Sequence, residues 1–184
     1  TEKFKESPDG YKYQIVREGT GETPKNGEVA YYHIVYKNEK DSLIFETKGE
    51  AVPIPCDTAQ WVSMGVLYKA LAMVKEGDSI IVKIPTKKLF DESFKAQVPP
   101  SLNPEGEITF YIGAQKYVTQ EEMMAEMMKK SQEQITKDKE TIDNYLQKNG
   151  ITAQSTESGL RYVITTEGTG ANAVAGQQVT VHYT

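Results

Sequence analysis

The residues that commonly carry enzyme chemistry are sparse in this chain. Its 184 residues include 2 histidines, 1 cysteine and 1 tryptophan. His33 and His182 each lie in a strand-like stretch with no cysteine or second histidine beside them, which reads as a sheet-face histidine and not a metal ligand. Cys56 has no partner for an intrachain disulfide or a thiolate metal site, and reads as a small, partly buried apolar residue. No phosphate-binding loop, triad spacing or paired carboxylates that would suggest another enzyme class are read in the sequence. What remains is apolar: Phe45, Leu67, Phe90 and Phe110 by type alone read as core packing. Met123, Met124, Met127 and Met128 form a cluster suited to helix packing or to an adaptable protein-binding surface.

Composition narrows the function classes further. The net charge of −5 opposes a nucleic-acid partner, because phosphate binding needs a concentrated basic face. Proteins are the expected partners. With 38% hydrophobic residues the chain has enough apolar mass for a sizeable core. It contains no run of 18 or more apolar residues, so neither a membrane-spanning helix nor a secretory leader is read within it.

The elements that must position these residues come in two copies. Gly10-Tyr11-Lys12-Tyr13-Gln14-Ile15-Val16-Arg17-Glu18-Gly19-Thr20-Gly21 returns as Gly159-Leu160-Arg161-Tyr162-Val163-Ile164-Thr165-Thr166-Glu167-Gly168-Thr169-Gly170. The offset is a constant 149, and it also carries Gly27 onto Gly176 and His33 onto His182. Such self-similarity implies two copies of one unit. In each copy alternating apolar residues (Tyr11, Tyr13, Ile15; Leu160, Tyr162, Ile164) predict a half-buried strand, with Gly-Thr-Gly as the turn after it. A second strand is expected over 29–38, and again over 179–183.

The first copy continues with a short strand over 43–47, an apolar segment at 52–55 and a helical stretch over 59–74. A strand over 79–85, a long proline-containing loop over 87–105 and a strand over 107–115 follow. The sum is an α+β domain, an antiparallel sheet with one short helix packed on it. At Thr119 the period changes from two to 3.6. Thr119 and Glu122 form a capping-box pattern, and Gly150 is placed to stop the helix. Met124, Met128, Ile135, Ile142, Tyr145 and Leu146 make a narrow apolar stripe, suited to one-sided packing or to pairing with another copy. The expected units are 1–118, a helical linker 119–150, and 151–184 as the opening of a second copy.

Ser158 through Tyr162, Glu167 through Gly170 and Gly176 through Thr184 closely resemble the N-terminal part of FKBP-type peptidyl-prolyl cis-trans isomerases. The first copy resembles the family through its Gly-Thr-Gly turn, Phe45-Glu46, Ala70-Leu71-Ala72-Met73 before Gly77-Asp78, Ile84-Pro85, Pro99-Pro100 and Ile108-Thr109-Phe110. The helix ending Ile142-Asp143-Asn144-Tyr145-Leu146 resembles the linker of tandem FKBP-type lipoproteins of Bacteroidetes-like bacteria. The resemblance implies an FKBP-like sheet wrapped on a short helix, and isomerase activity that assists folding of proline-containing polypeptides. It implies no cofactor, and a location in the cell envelope or periplasm.

Residue by residue, the resemblance puts Glu46 after Phe45 where the family has an aspartate. Ile34 stands where it has a tyrosine, which Tyr183 keeps in the second copy. Leu67 replaces a tryptophan that floors the pocket, with Trp61 on the same segment as a substitute. Phe90 replaces a tyrosine whose hydroxyl bonds the substrate, Phe110 matches an aromatic wall, and Met64 and Val98 are neighbours. Glu46, Phe45 and Phe90 are thus the expected catalytic positions, and Ile34, Trp61, Met64, Leu67, Val98, Phe110 and Tyr183 the expected substrate-binding ones. These departures remove two hydroxyls and an aromatic floor, so a non-catalytic peptide-binding or holdase module is the alternative. Self-association is expected through the long helix or the second copy.

Overall fold

The structure, a computed structural model, describes residues 3–184. They form two compact units, one reaching Met128 and the other running Lys129–Thr184. In the first, seven strands make one antiparallel sheet: β1 (Lys5–Glu6), β2 (Lys12–Arg17), β3 (Glu28–Lys37), β4 (Leu43–Glu46), β5 (Val52–Pro55), β6 (Ser79–Pro85) and β7 (Glu107–Thr119). Their order is β1-β2-β6-β7-β3-β4, with β5 also paired to β3.

Alternation sets the inner face. Ile80, Val82 and Ile84 of β6, and Ile108, Phe110, Ile112 and Ala114 of β7, are buried while their neighbours are not. The register aligns these residues into rows across the sheet. Ile15, Ile80, Ile112 and Ile34 form one, and Tyr13, Val82, Phe110, Tyr36 and Phe45 form the next. Cross-strand β-branched and aromatic pairs of this kind each contribute about 0.2–1 kcal/mol.

Two short helices cover that face: α1 (Thr58–Trp61) and α2 (Val66–Ala72). They bury Trp61, Val66, Ala70 and Leu71, and Val74 is buried just after them, the valine and leucine side chains each contributing roughly 1.5–3 kcal/mol. The helical stretch expected over 59–74 is therefore two pieces. The break falls at Gly65, whose φ is +91° and where a Cβ would come within 2.5 Å of the Glu92 backbone. Periodicity alone does not register such a close approach.

The stretch expected as a loop over 87–105 also departs from the reading. It opens with α3 (Thr86–Leu89) and a π-helical turn, Phe90–Phe94. Turns this short are beneath the resolution of a 3.6-residue pattern, and they are fixed from outside: Ser93 Oγ accepts the otherwise unpaired N–H of Leu67 at 3.0 Å. Strand β7 runs past the expected 115 to Thr119 because β3 pairs with it along its length.

Helix α4 spans Gln120–Lys148. Its capping box is formed, with Thr119 N donating to Glu122 Oε2 at 2.8 Å and Glu122 N to Thr119 Oγ1 at 3.1 Å. At its other end Gly150 has φ +62°. Ile151 N donates to Leu146 O and Gly150 N to Gln147 O, which is a Schellman cap. No α4 residue is buried.

In the second unit β8 (Gln154–Ser155) pairs with β9 (Arg161–Tyr162). The strand expected over 160–165 is thus reduced to two residues, and the one expected over 179–183 is not a strand. An isolated hairpin is marginal in water, and a longer strand needs a further strand or helix to cover its apolar face.

Candidate functional site

A cavity of about 480 Å³ opens at one end of the inner face, a volume typical of small-ligand sites. One wall is the end of β3 and the hairpin into β4: Tyr36, Asn38, Ser42, Leu43 and Ile44. Leu89, Phe90 and Phe94 form a second part of the lining, and Pro99, Ser101, Leu102 and Ile108 complete it. None of these side chains is charged.

Each wall has a local cause. Asn38 Oδ1 accepts from Lys40 N at 3.0 Å and Ser42 N at 2.9 Å, and Asn38 N donates to Ser42 O at 3.0 Å. These bonds close the tip of the β3–β4 hairpin. Within the π-helical turn, residues four apart share a face, so the Phe90 and Phe94 rings meet edge to face with centroids 5.1 Å apart. Lys95, left-handed at φ +51°, ends the turn, and its N–H and that of Ala96 both reach Phe90 O. Single π turns of this kind recur at functional sites.

Tyr36 joins the two walls to the core. Its ring stacks on Phe45 at 5.4 Å and lies tilted against Phe110 at 4.8 Å. Burial pushes the Tyr36 phenol above its ordinary pKa, so the cavity offers no ionised group at neutral pH. The buried Cys56 thiol, pushed up to about 11 by desolvation, stays protonated and makes a long contact to Ile54 O.

Of the residues singled out by sequence, Phe90 lines the cavity. Phe110 is buried behind Tyr36 and Phe45 covers its other side, 44% exposed. Glu46 is exposed on β4, opposite Val35, and does not line the cavity. Ile34 belongs to the isoleucine row. Trp61 is buried, packing against Tyr68 at 5.9 Å. Met64 and Leu67 are partly buried against the core. Val98 is half-buried next to Pro99 without lining the cavity. Tyr183 lies in the second unit and is 91% exposed.

Sequence reasoning missed Tyr36, Leu43, Ile44, Phe94 and Leu102. The alternation of β3 held a signal for Tyr36, two residues from Ile34 and so on the same face. Phe94 had none, because its placement depends on the π turn.

No family model matches the chain, and no curated protein matches its sequence. Among solved structures it is similar to FkpA from Escherichia coli (21% identity, TM-score 0.49, 63% of this chain and 52% of that one). The match thus spans about half of that protein. A peptidyl-prolyl cis-trans isomerase from Pseudomonas syringae pv. tomato is similar at 18% identity and TM-score 0.49, over 63% of this chain and 81% of that one. The N-terminal domain of FKBP42 from Arabidopsis thaliana is similar at 12% identity and TM-score 0.49, over 64% and 93%.

Proposed function

We propose that the cavity receives a proline and the residue before it from an unfolded polypeptide, and that the chain acts as an FKBP-type peptidyl-prolyl isomerase assisting protein folding. The observation that carries this reading is an uncharged, aromatic-walled cavity large enough for two residues. Rotation about an X-Pro bond needs no nucleophile or base: its barrier, about 18–20 kcal/mol, is the loss of amide resonance. A wall that excludes water and fits the twisted amide better than the planar one lowers that barrier.

Two features favour a second reading, binding with little turnover. Phe90 brings no hydroxyl, and Glu46 is not part of the lining. Losing about 1.4 kcal/mol of transition-state stabilisation slows the reaction tenfold, and we expect at least that deficit against a family member with an intact pocket. A protease-coupled proline-peptide assay on the full chain should show weak acceleration, abolished by Phe90→Ala. Full family-level rates would remove the second reading; neither acceleration nor binding of proline peptides would remove both. The same proposal reads 151–184 as the opening of a second such domain and places the protein in the cell envelope, which fractionation would test.

A further inference from the structure

We infer that the Tyr36 hydroxyl is the specificity-determining donor of this cavity, bonding the backbone carbonyl of the residue before proline. The inference rests on the peptide-binding role proposed above and assigns a group to it. Tyr36 lines the cavity, and its hydroxyl makes no hydrogen bond to another described residue. Its ring is held on both sides, by Phe45 at 5.4 Å and Phe110 at 4.8 Å, and by strand pairing to β4 and β7. The hydroxyl oxygen is therefore held in place before a ligand arrives, which removes the ordering cost of recruiting a mobile side chain.

The other polar side chains of the wall are worse placed to do this. The Asn38 carboxamide is pinned in the hairpin tip, its oxygen accepting from two backbone N–H groups of that hairpin, which leaves its NH2 group as the competing donor to be tested. Ser42 and Ser101 are exposed, and a hydroxyl in water gains little by exchanging one partner for another. Tyr36 is half-buried, and burial disfavours its ionised form, so at neutral pH it remains a donor. A neutral, desolvated donor on an apolar wall selects a neutral acceptor. An amide carbonyl flanked by apolar side chains fits, and a carboxylate, which would lose its hydration against uncharged walls, does not.

The test measures binding to the full chain by calorimetry with an acetylated Leu-Pro tetrapeptide amide and with its analogue carrying sulfur for oxygen at the leucyl carbonyl, a poorer acceptor. Wild type should bind the sulfur analogue about three- to tenfold more weakly, the range expected for one hydrogen bond. Tyr36→Phe should bind the oxygen peptide more weakly by the same factor and no longer distinguish the two. Ser42→Ala, Ser101→Ala and Asn38→Asp, which removes the Asn38 NH2 donor, should keep the distinction; its loss in Asn38→Asp would move the donor to Asn38 and overturn the assignment. A Tyr36→Phe protein that still distinguishes oxygen from sulfur would overturn the assignment, as would loss of the distinction in either serine variant. Should Tyr36→Phe not fold, the variant combining Asn38→Asp, Ser42→Ala and Ser101→Ala decides: retained discrimination supports Tyr36, and lost discrimination refutes it. Failure of wild type to bind either peptide would instead sink the peptide-binding reading, and this assignment with it.

Discussion

At an offset of 149 the β1–β2 hairpin reappears as β8–β9, pair for pair. Lys5 faces Tyr13 and Glu6 faces Lys12; Gln154 faces Tyr162 and Ser155 faces Arg161. The turn bonds Ser7 N to Tyr11 O and Gly10 N to Ser7 O become Thr156 N to Leu160 O and Gly159 N to Thr156 O. Gly10 and Gly159 share a positive φ, +86° and +91°. Further on, Glu28 N donates to Lys25 O with the Glu28 carboxylate accepting from Lys25 N. Gln177 and Val174 repeat both bonds.

The copies part company wherever the partner is distant in sequence. In the first, β2 extends to six residues along β6. Its Gly-Thr-Gly turn docks on Glu76–Asp78, where Gly19 N donates to Asp78 Oδ1 at 2.7 Å and Gly21 N to Glu76 O at 3.2 Å. In the second, the strand stops at two residues and Gly168 and Gly170 have nothing within 4 Å of an added Cβ. The same residues thus give the same turn in both places, and a strand only where another strand is supplied.

Substitutions at matched positions sharpen this contrast. A Cβ at Gly19 would sit 2.2 Å from Glu76 O, so Gly19→Ala should destabilise the first unit by about 2–4 kcal/mol. Gly168→Ala should change stability by less than about 0.5 kcal/mol. Denaturant titration measures both, and equal effects would break the comparison. Asp78 comes next. Its carboxylate accepts from Gly19 N and from Lys75 N at 2.8 Å while the residue is 3% exposed. Asp78→Ala should cost about 2–3 kcal/mol, because two part-buried backbone N–H groups lose a charged acceptor.

Alkaline pH is a milder probe of the first unit. Burial raises Cys56 to about 11 and raises Tyr32 and Tyr117, whose hydroxyls meet at 3.3 Å. A raised folded pKa means the unfolded chain loses its protons first. Stability should therefore be full below about pH 8.5 and decline as pH rises towards 11, by about 2 kcal/mol for the thiol. Cys56→Ala should flatten the first part of that decline in melts recorded from pH 8 to 11. A smaller loss is expected at the end of α4: Gly150→Ala places a side chain at φ +62° and should cost about 1 kcal/mol of the α4 cap, read as lost helicity on heating.

Much of the fold was legible because its signals are short-range. Ile80-Ile81-Val82 and Ile108-Thr109-Phe110 announce their strands by period two, and Thr119, Glu122 and Gly150 announce both ends of α4. The candidate site was less so. Phe90, Phe110 and Phe45 were reached through the resemblance, while Trp61 is a core residue and Glu46 is turned out of the lining. No sequence spacing says that Gly65 must let Glu92 approach, or that Phe90–Phe94 winds as a π turn.

By itself, the sequence determined what forms within a few residues: the turns at Gly10 and Gly159, the capped helix, the alternation of the strands, and the absence of charge from the apolar segments. Only the tertiary structure decided which of these matured. Strand length depends on a partner whose backbone groups are otherwise solvated. The cavity depends on the β3–β4 hairpin and the π turn, more than 40 residues apart along the chain, coming together beside Tyr36. Contacts at that separation depend on how the whole chain offsets the entropy of bringing its ends together, and no local pattern encodes that sum.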